Sequence, residues 1–102
     1  MNSEFFSEND LKKKGFKFLG KNLNISKNVT IIGEQNISLG DNCRIDDYTI
    51  ISASAGFLKI GSNVHISKGC TLSGGGGGIF LENFSTLSNF CQLFTQSDDY
   101  YN

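Results

Sequence analysis

From Leu19 onward the chain divides into segments within which an aliphatic residue recurs at every sixth position, and polar or small residues fill most of the places between. Four segments follow one another: LGKNLNISKNVTIIGEQNIS from Leu19, LGDNCRIDDYTIISASAGFLK from Leu39, IGSNVHISKGCTLSGGGGGIF from Ile60 and LENFSTLSNFCQLFTQSDDYYN from Leu81. Their starts lie 20, 21 and 21 residues apart. Leu19, Leu39, Ile60 and Leu81 form one column; Ile25, Ile45, Ile66 and Leu87 a second; Ile31, Ile51, Leu72 and Leu93 a third. Four residues after the first column come Leu23, Cys43, Val64 and Ser85, and four after the second come Val29, Thr49, Cys70 and Cys91. An α-helix, at about 3.6 residues per turn, scatters a six-residue period around its surface. A coil with three flat sides keeps it, because each side is a short strand whose column points inward and successive coils stack at about 4.8 Å. The pattern therefore predicts a parallel β-helix of about four coils. The residues left over per coil fall at one corner: Gly33-Glu34-Gln35, Ser54-Ala55-Gly56, Gly74 to Gly78, and Gln96 to Tyr101. Glycine at three of these is expected to serve a positive φ.

The lead-in, residues 1–18, reads as a short capping helix before the β-helix of 19–102. Ser7 is its expected N-cap, with Asp10 three residues on as a variant capping box, and Phe6 and Leu11 have staple spacing. Gly15-Phe16 suits its end. Such a helix would cover the open first coil, as repeat folds require.

At 102 residues there is room for one domain, small enough that self-association is expected. A net charge of -1 argues against a nucleic-acid partner; the one basic run, Lys12-Lys13-Lys14, reads as a solvated helix face. No apolar run approaches the roughly 20 residues of a membrane span. Met1 to Asp10 is too polar and acidic for a signal peptide, so the cytoplasm is the default and no membrane partner is implied. The sequons at Asn24, Asn28, Asn36 and Asn83 then carry no meaning. Cys43, Cys70 and Cys91 match no metal spacing; Cys70 and Cys91, stacked in one column, are expected to be buried thiols. Gly74 to Gly78 is no phosphate loop, because no strand–helix transition or Lys-Ser/Thr follows it.

The repeat [LI]-G-x-N-x-x-I resembles that of the hexapeptide acyltransferase superfamily. FFSENDLKKKGF, IGSNVHIS, the glycine run before Ile79, ENFSTLS and SDDYY are similar to the sugar O- and N-acetyltransferases associated with bacterial surface polysaccharides. The resemblance implies a left-handed parallel β-helix, a trimer, acetyl-CoA as co-substrate in the groove between neighbouring β-helices, and a sugar or nucleotide-sugar acceptor. It also implies a histidine that acts as general base. It implies no metal: a γ-class carbonic anhydrase shares the fold but needs three zinc-binding histidines, and this sequence has one.

That histidine is His65. Strand alternation turns Val64 and Ile66 inward, so His65 faces outward, with Arg44 below it and Thr86 above. It is either a solvated surface residue or the base that takes the acceptor proton; Arg44 would favour the neutral imidazole a base needs. Asp98, Asp99 and Tyr100 resemble the family's acceptor-side loop, and equally fit an acidic, frayed terminus. Asp46 and Asp47 read as turn residues. In the family further coils follow the Asp-Asp-Tyr loop and form most of the coenzyme wall. A chain of only four coils is therefore expected to have little activity by itself, and a non-catalytic solenoid for assembly or binding is the alternative. Such a solenoid is expected to associate as the family trimer or by end-stacking.

Replacing Ile45 or Ile66 by Asp should bury an unpaired charge and unfold the chain. An unchanged circular-dichroism melting curve for either variant would contradict the column alignment.

Overall fold

Short strands with one inward aliphatic each cannot form a core alone; they do so by stacking, and the strand pairing shows how. In the computed structural model, which describes residues 4–95, helix α1 (Glu8–Lys13) precedes twelve strands. The strands fall into three parallel four-stranded sheets. The first joins β1 (Phe18–Leu19), β4 (Ile37–Leu39), β7 (Phe57–Ile60) and β10 (Gly78–Leu81). The second joins β2 (Asn24–Ile25), β5 (Arg44–Ile45), β8 (His65–Ile66) and β11 (Thr86–Leu87). The third joins β3 (Thr30–Ile32), β6 (Ile50–Ser52), β9 (Thr71–Gly74) and β12 (Gln92–Thr95). The register stacks Leu19 on Leu39, Ile60 and Leu81, Ile25 on Ile45, Ile66 and Leu87, and Ile31 on Ile51, Leu72 and Leu93. These are the columns read from the sequence, and the left-handed parallel β-helix of about four coils is the fold observed.

The two residues that mark the repeat, glycine and asparagine, have separate causes at the first corner. Asn22, Asn42 and Asn63 take φ of 59, 60 and 59°, the left-handed conformation that Asn tolerates better than other non-glycine residues. In the fourth coil Phe84 occupies that place, at φ 67°. The glycine makes room for a side chain from the next coil. The Lys21 N–H donates to Asp41 Oδ1 at 2.8 Å, the Asp41 N–H to Ser62 Oγ at 2.9 Å, and the Ser62 N–H to Asn83 Oδ1 at 2.8 Å. A Cβ on Gly20, Gly40 or Gly61 would collide with the acceptor reaching that rung.

The extra residues do sit at one corner, between the third sheet and the first, and Glu34–Asn36 form a turn of 3-10 helix there. The reason expected for the glycines holds only at Gly33, with φ 80°. Gly56, Gly74 and Gly78 are small for a different reason. A Cβ on Gly56 would strike the Gly77 carbonyl, one on Gly74 the Phe57 carbonyl, and one on Gly78 the Phe57 ring. Gly74 and Gly78 also belong to strands rather than to the corner itself. The fourth of these corners, Gln96 to Tyr101, lies outside the described residues.

The N-terminal segment closes the first coil. Ser7 Oγ accepts from the Asp10 N–H at 3.0 Å, and Leu11 packs into the core. Gly15 takes φ 82° just past the helix end. Ahead of the helix the chain runs antiparallel to β2: the Phe6 N–H donates to the Ile25 carbonyl at 2.9 Å, and the Lys27 N–H to the Glu4 carbonyl at 3.0 Å. An edge that would otherwise offer unpaired backbone groups is thereby occupied.

One burial expectation needs correction. Cys70 is buried, but Cys91 above it is only half-buried, as are Leu87 and Leu93 of the same coil. Each fourth-coil side chain has the third coil beneath it and no described coil above. Burial pushes the Cys43 and Cys70 thiols up, against backbone hydrogen bonds that pull the other way. Both stay protonated, with Cys43 Sγ donating to the Gly61 carbonyl at 3.0 Å and Cys70 Sγ to the Ser88 carbonyl at 3.1 Å.

Gly40→Ala should cost about 1–3 kcal/mol, because its Cβ would lie 2.6 Å from Ser62 Oγ and 2.7 Å from backbone atoms of Gly61 and Ser62. Gly77→Ala, with nothing within 4 Å, should change stability by no more than about 0.5 kcal/mol. Urea denaturation of the two variants checks the contrast; equal losses would contradict it.

Candidate functional site

The second sheet turns one side chain per coil outward, because its inward positions are the column from Ile25 to Leu87. Parallel pairing then stacks Asn24, Arg44, His65 and Thr86 on one face. His65 therefore stands where the sequence put it, with Arg44 below and Thr86 above; its side chain is 45% exposed.

What the sequence reading missed is Asp46. It flanks a turn, as expected, yet its side chain joins the two basic groups of the face. His65 Nε2 lies 2.9 Å from Asp46 Oδ2, and Arg44 Nε donates to Asp46 Oδ1 at 2.8 Å. The Asp46 N–H is also tied to the Ile66 carbonyl at 3.0 Å, which fixes the carboxylate relative to the coil that carries His65. Partial burial would raise the Asp46 pKa, but hydrogen bonds and charge from His65 and Arg44 outweigh it and hold the carboxyl below its ordinary range. The Arg44 charge is thus answered by a carboxylate lying between it and the imidazole, so the simple Arg–His opposition expected from the sequence does not describe the site. The signal was present: Arg44 and Asp46 share outward parity around inward Ile45.

Beside this cluster runs a cleft of about 210 Å³ along the second corner, lined by Phe5, Ser26, Arg44, Asp46, Asp47, Lys68 and Asn89. It draws on all four coils, through Ser26 and Asp46 at one corner position and Asp47, Lys68 and Asn89 at the next. Phe5, held by the N-terminal antiparallel pairing, lies 5.6 Å below the Arg44 guanidinium and walls one end. Asp47 accepts from the buried Ser26 hydroxyl, so this carboxylate is bound to its corner as well. Mixed carboxylate, amide and cationic groups beside an aromatic ring can hydrogen-bond a polyhydroxylated ligand, and the imidazole can exchange a proton with it. Asp98, Asp99 and Tyr100 lie outside the described residues. Among the described residues no group of His, Cys, Asp and Glu could hold a metal ion, and no helix is long and apolar enough to cross a membrane.

No protein-family model matches the chain. It is 33% identical over 97 residues to the dTDP-4-amino-4,6-dideoxy-D-glucose acyltransferase of Escherichia coli, a match that takes in 95% of this chain and 50% of that protein. It superposes with a TM-score of 0.87 and 40% identity on a variant of AntD, an N-acyltransferase from Bacillus cereus in complex with dTDP and coenzyme A, covering 100% of this chain and 52% of that one. AntD in complex with dTDP and 3-hydroxybutyryl-CoA matches with a TM-score of 0.77 and 44% identity over 84% of this chain and 44% of its own. The chain thus spans about half the length of the relatives it matches. These relatives and the three-sided solenoid fit the hexapeptide-repeat acyltransferase superfamily that the repeat motif resembles.

Because its pKa is lowered on folding, Asp46 stabilises the fold above the unfolded carboxylate value of 3.8, and that contribution is lost as pH falls through the lower folded value. Asp46→Asn should therefore cost about 1 kcal/mol at pH 7, a modest figure because the partners are half-exposed. The difference from the parent should shrink toward zero in strong acid. Urea midpoints at neutral and acid pH check this; a gap that widens in acid would contradict it.

Proposed function

We propose, on the premise that this chain is a hexapeptide-repeat β-helix similar to sugar acyltransferases, that it takes part in acyl transfer from an acyl-coenzyme A to the amino group of a nucleotide-linked sugar. The likeness to proteins acting on dTDP-4-amino-4,6-dideoxyglucose carries this reading. The outward Arg44–Asp46–His65 cluster supplies its chemistry. The amine nitrogen attacks the thioester carbonyl, His65 takes the proton the nitrogen sheds, the carbon–sulfur bond breaks, and coenzyme A leaves as the thiol with that proton. Asp98, Asp99 and Tyr100 complete the acceptor side. The donor is acetyl-CoA, and the product feeds surface polysaccharide biosynthesis in the cytoplasm.

The working unit in this reading is a homo-oligomer, a trimer of parallel columns. Phe18, Phe57 and Phe80 stand exposed on the outer face of the first sheet, which supports burial of that face between copies.

Calorimetry separates the parts of this proposal. The chain should bind the dTDP-linked aminosugar saturably, and Arg44→Ala should weaken that binding at least ~10-fold, a loss of ~1.4 kcal/mol. Coenzyme A should bind weakly to these four coils alone. Tight coenzyme binding with no affinity for the nucleotide-sugar would overturn the assignment of the acceptor side. Affinity for neither would leave the solenoid as a non-catalytic assembly module.

A further inference from the structure

The contact between His65 and Asp46 is made at a particular ring nitrogen, and the choice has chemical consequences. Nε2, the outer nitrogen of the imidazole, faces Asp46 Oδ2 at 2.9 Å. The other carboxylate oxygen is held by Arg44 Nε at 2.8 Å, and the backbone N–H of Asp46 is held by the Ile66 carbonyl at 3.0 Å. Both oxygens and the backbone are thereby engaged, so the carboxylate has a set direction rather than a free rotor. We infer that Asp46 is a positioning residue that keeps the proton of neutral His65 on Nε2 and leaves Nδ1 as the nitrogen that accepts the acceptor's proton. The inference rests on the reading of His65 as the base of acyl transfer.

An ionised carboxylate can only accept hydrogen bonds. A neutral imidazole carries one N–H and one lone pair, and the hydrogen bond made by one nitrogen sets which of the two carries the proton. With the proton on Nδ1, the Nε2 lone pair would face a carboxylate oxygen at hydrogen-bond distance, two acceptors with nothing between them. With the proton on Nε2 the contact is a charge-assisted hydrogen bond. The hydrogen bond from His65 on one side and that of Arg44 on the far side, with their charges, outweigh partial burial and hold the Asp46 carboxyl below its ordinary range. The arrangement is the reverse of the familiar triad, in which the carboxylate holds Nδ1 and Nε2 does the chemistry. Here the acceptor must approach the ring edge that faces away from Asp46, on a side chain exposed enough to allow it.

The chain has a single histidine, so nitrogen NMR of the 15N-histidine-labelled full chain reads this ring without ambiguity. The neutral ring should show an Nε2–H to Nδ1–H ratio of at least ~10, the preference that ~1.4 kcal/mol of differential hydrogen bonding gives. Asp46→Asn replaces an obligate acceptor with an amide that donates as well as accepts, and the ratio should fall at least several-fold. Asp46→Glu should preserve the proton on Nε2. A proton on Nδ1 in the parent chain, or an Asp46→Asn ratio equal to the parent's, would overturn the inference. The parent measurement needs no variant, so a failure of Asp46→Asn to fold does not shield the claim. Failure of the acyl-transfer reading shows elsewhere: calorimetry would find no affinity of the chain for the dTDP-linked aminosugar while the tautomer remained as inferred.

Discussion

Each coil is stable only against its neighbours, and the stacking of like side chain on like is the constraint from which the rest follows. Among the described residues no strand exceeds four residues, too short to bury a face by itself. A column such as Ile25, Ile45, Ile66 and Leu87 buries its members only if the coils align in register, since a one-residue slip would turn the aliphatics outward. The corner glycines serve the same alignment by admitting the side chain that bonds the backbone of the coil below. The inside and the corner therefore specify one register twice, once by apolar burial and once by directed hydrogen bonds.

The same register builds the outer surface. Because inward positions must match, outward positions match too, and Arg44 falls beneath His65 without any local interaction requiring it. The Asp46 carboxylate then bridges two side chains 21 residues apart in the chain. A parallel solenoid can assemble a multi-residue site in this way from one residue per coil on a rigid sheet face. A loop would have to be ordered at an entropic cost before its groups could cooperate. The N-terminal segment adds Phe5 to this surface by pairing with the edge strand, so closing the first coil and walling the cleft are two results of one antiparallel contact.

The columns, the outward direction of His65 and the Ser7 cap were legible because each depends on period or on local capping chemistry. Asp46 was not, because turn propensity accounts for an Asp-Asp-Tyr corner without any call on its side chain; only the parity shared with Arg44 pointed to the face. Gly56, Gly74 and Gly78 were assigned the wrong cause. From sequence a glycine that needs positive φ and a glycine that makes room look alike, and only the positions of Phe57 and Gly77 distinguish them. Cys91 was assigned the burial of Cys70 because a column pattern carries no information on what covers its last member.

The central functional claim is that the acceptor sugar meets the solenoid on the face carrying Arg44, Asp46 and His65. A crystal structure of the chain with dTDP-4-amino-4,6-dideoxyglucose tests it most directly. The account predicts the sugar amino nitrogen within hydrogen-bond reach of His65 Nδ1, with the Asp46 contact to Nε2 intact. A sugar seated on another sheet, with His65 facing solvent, would contradict it.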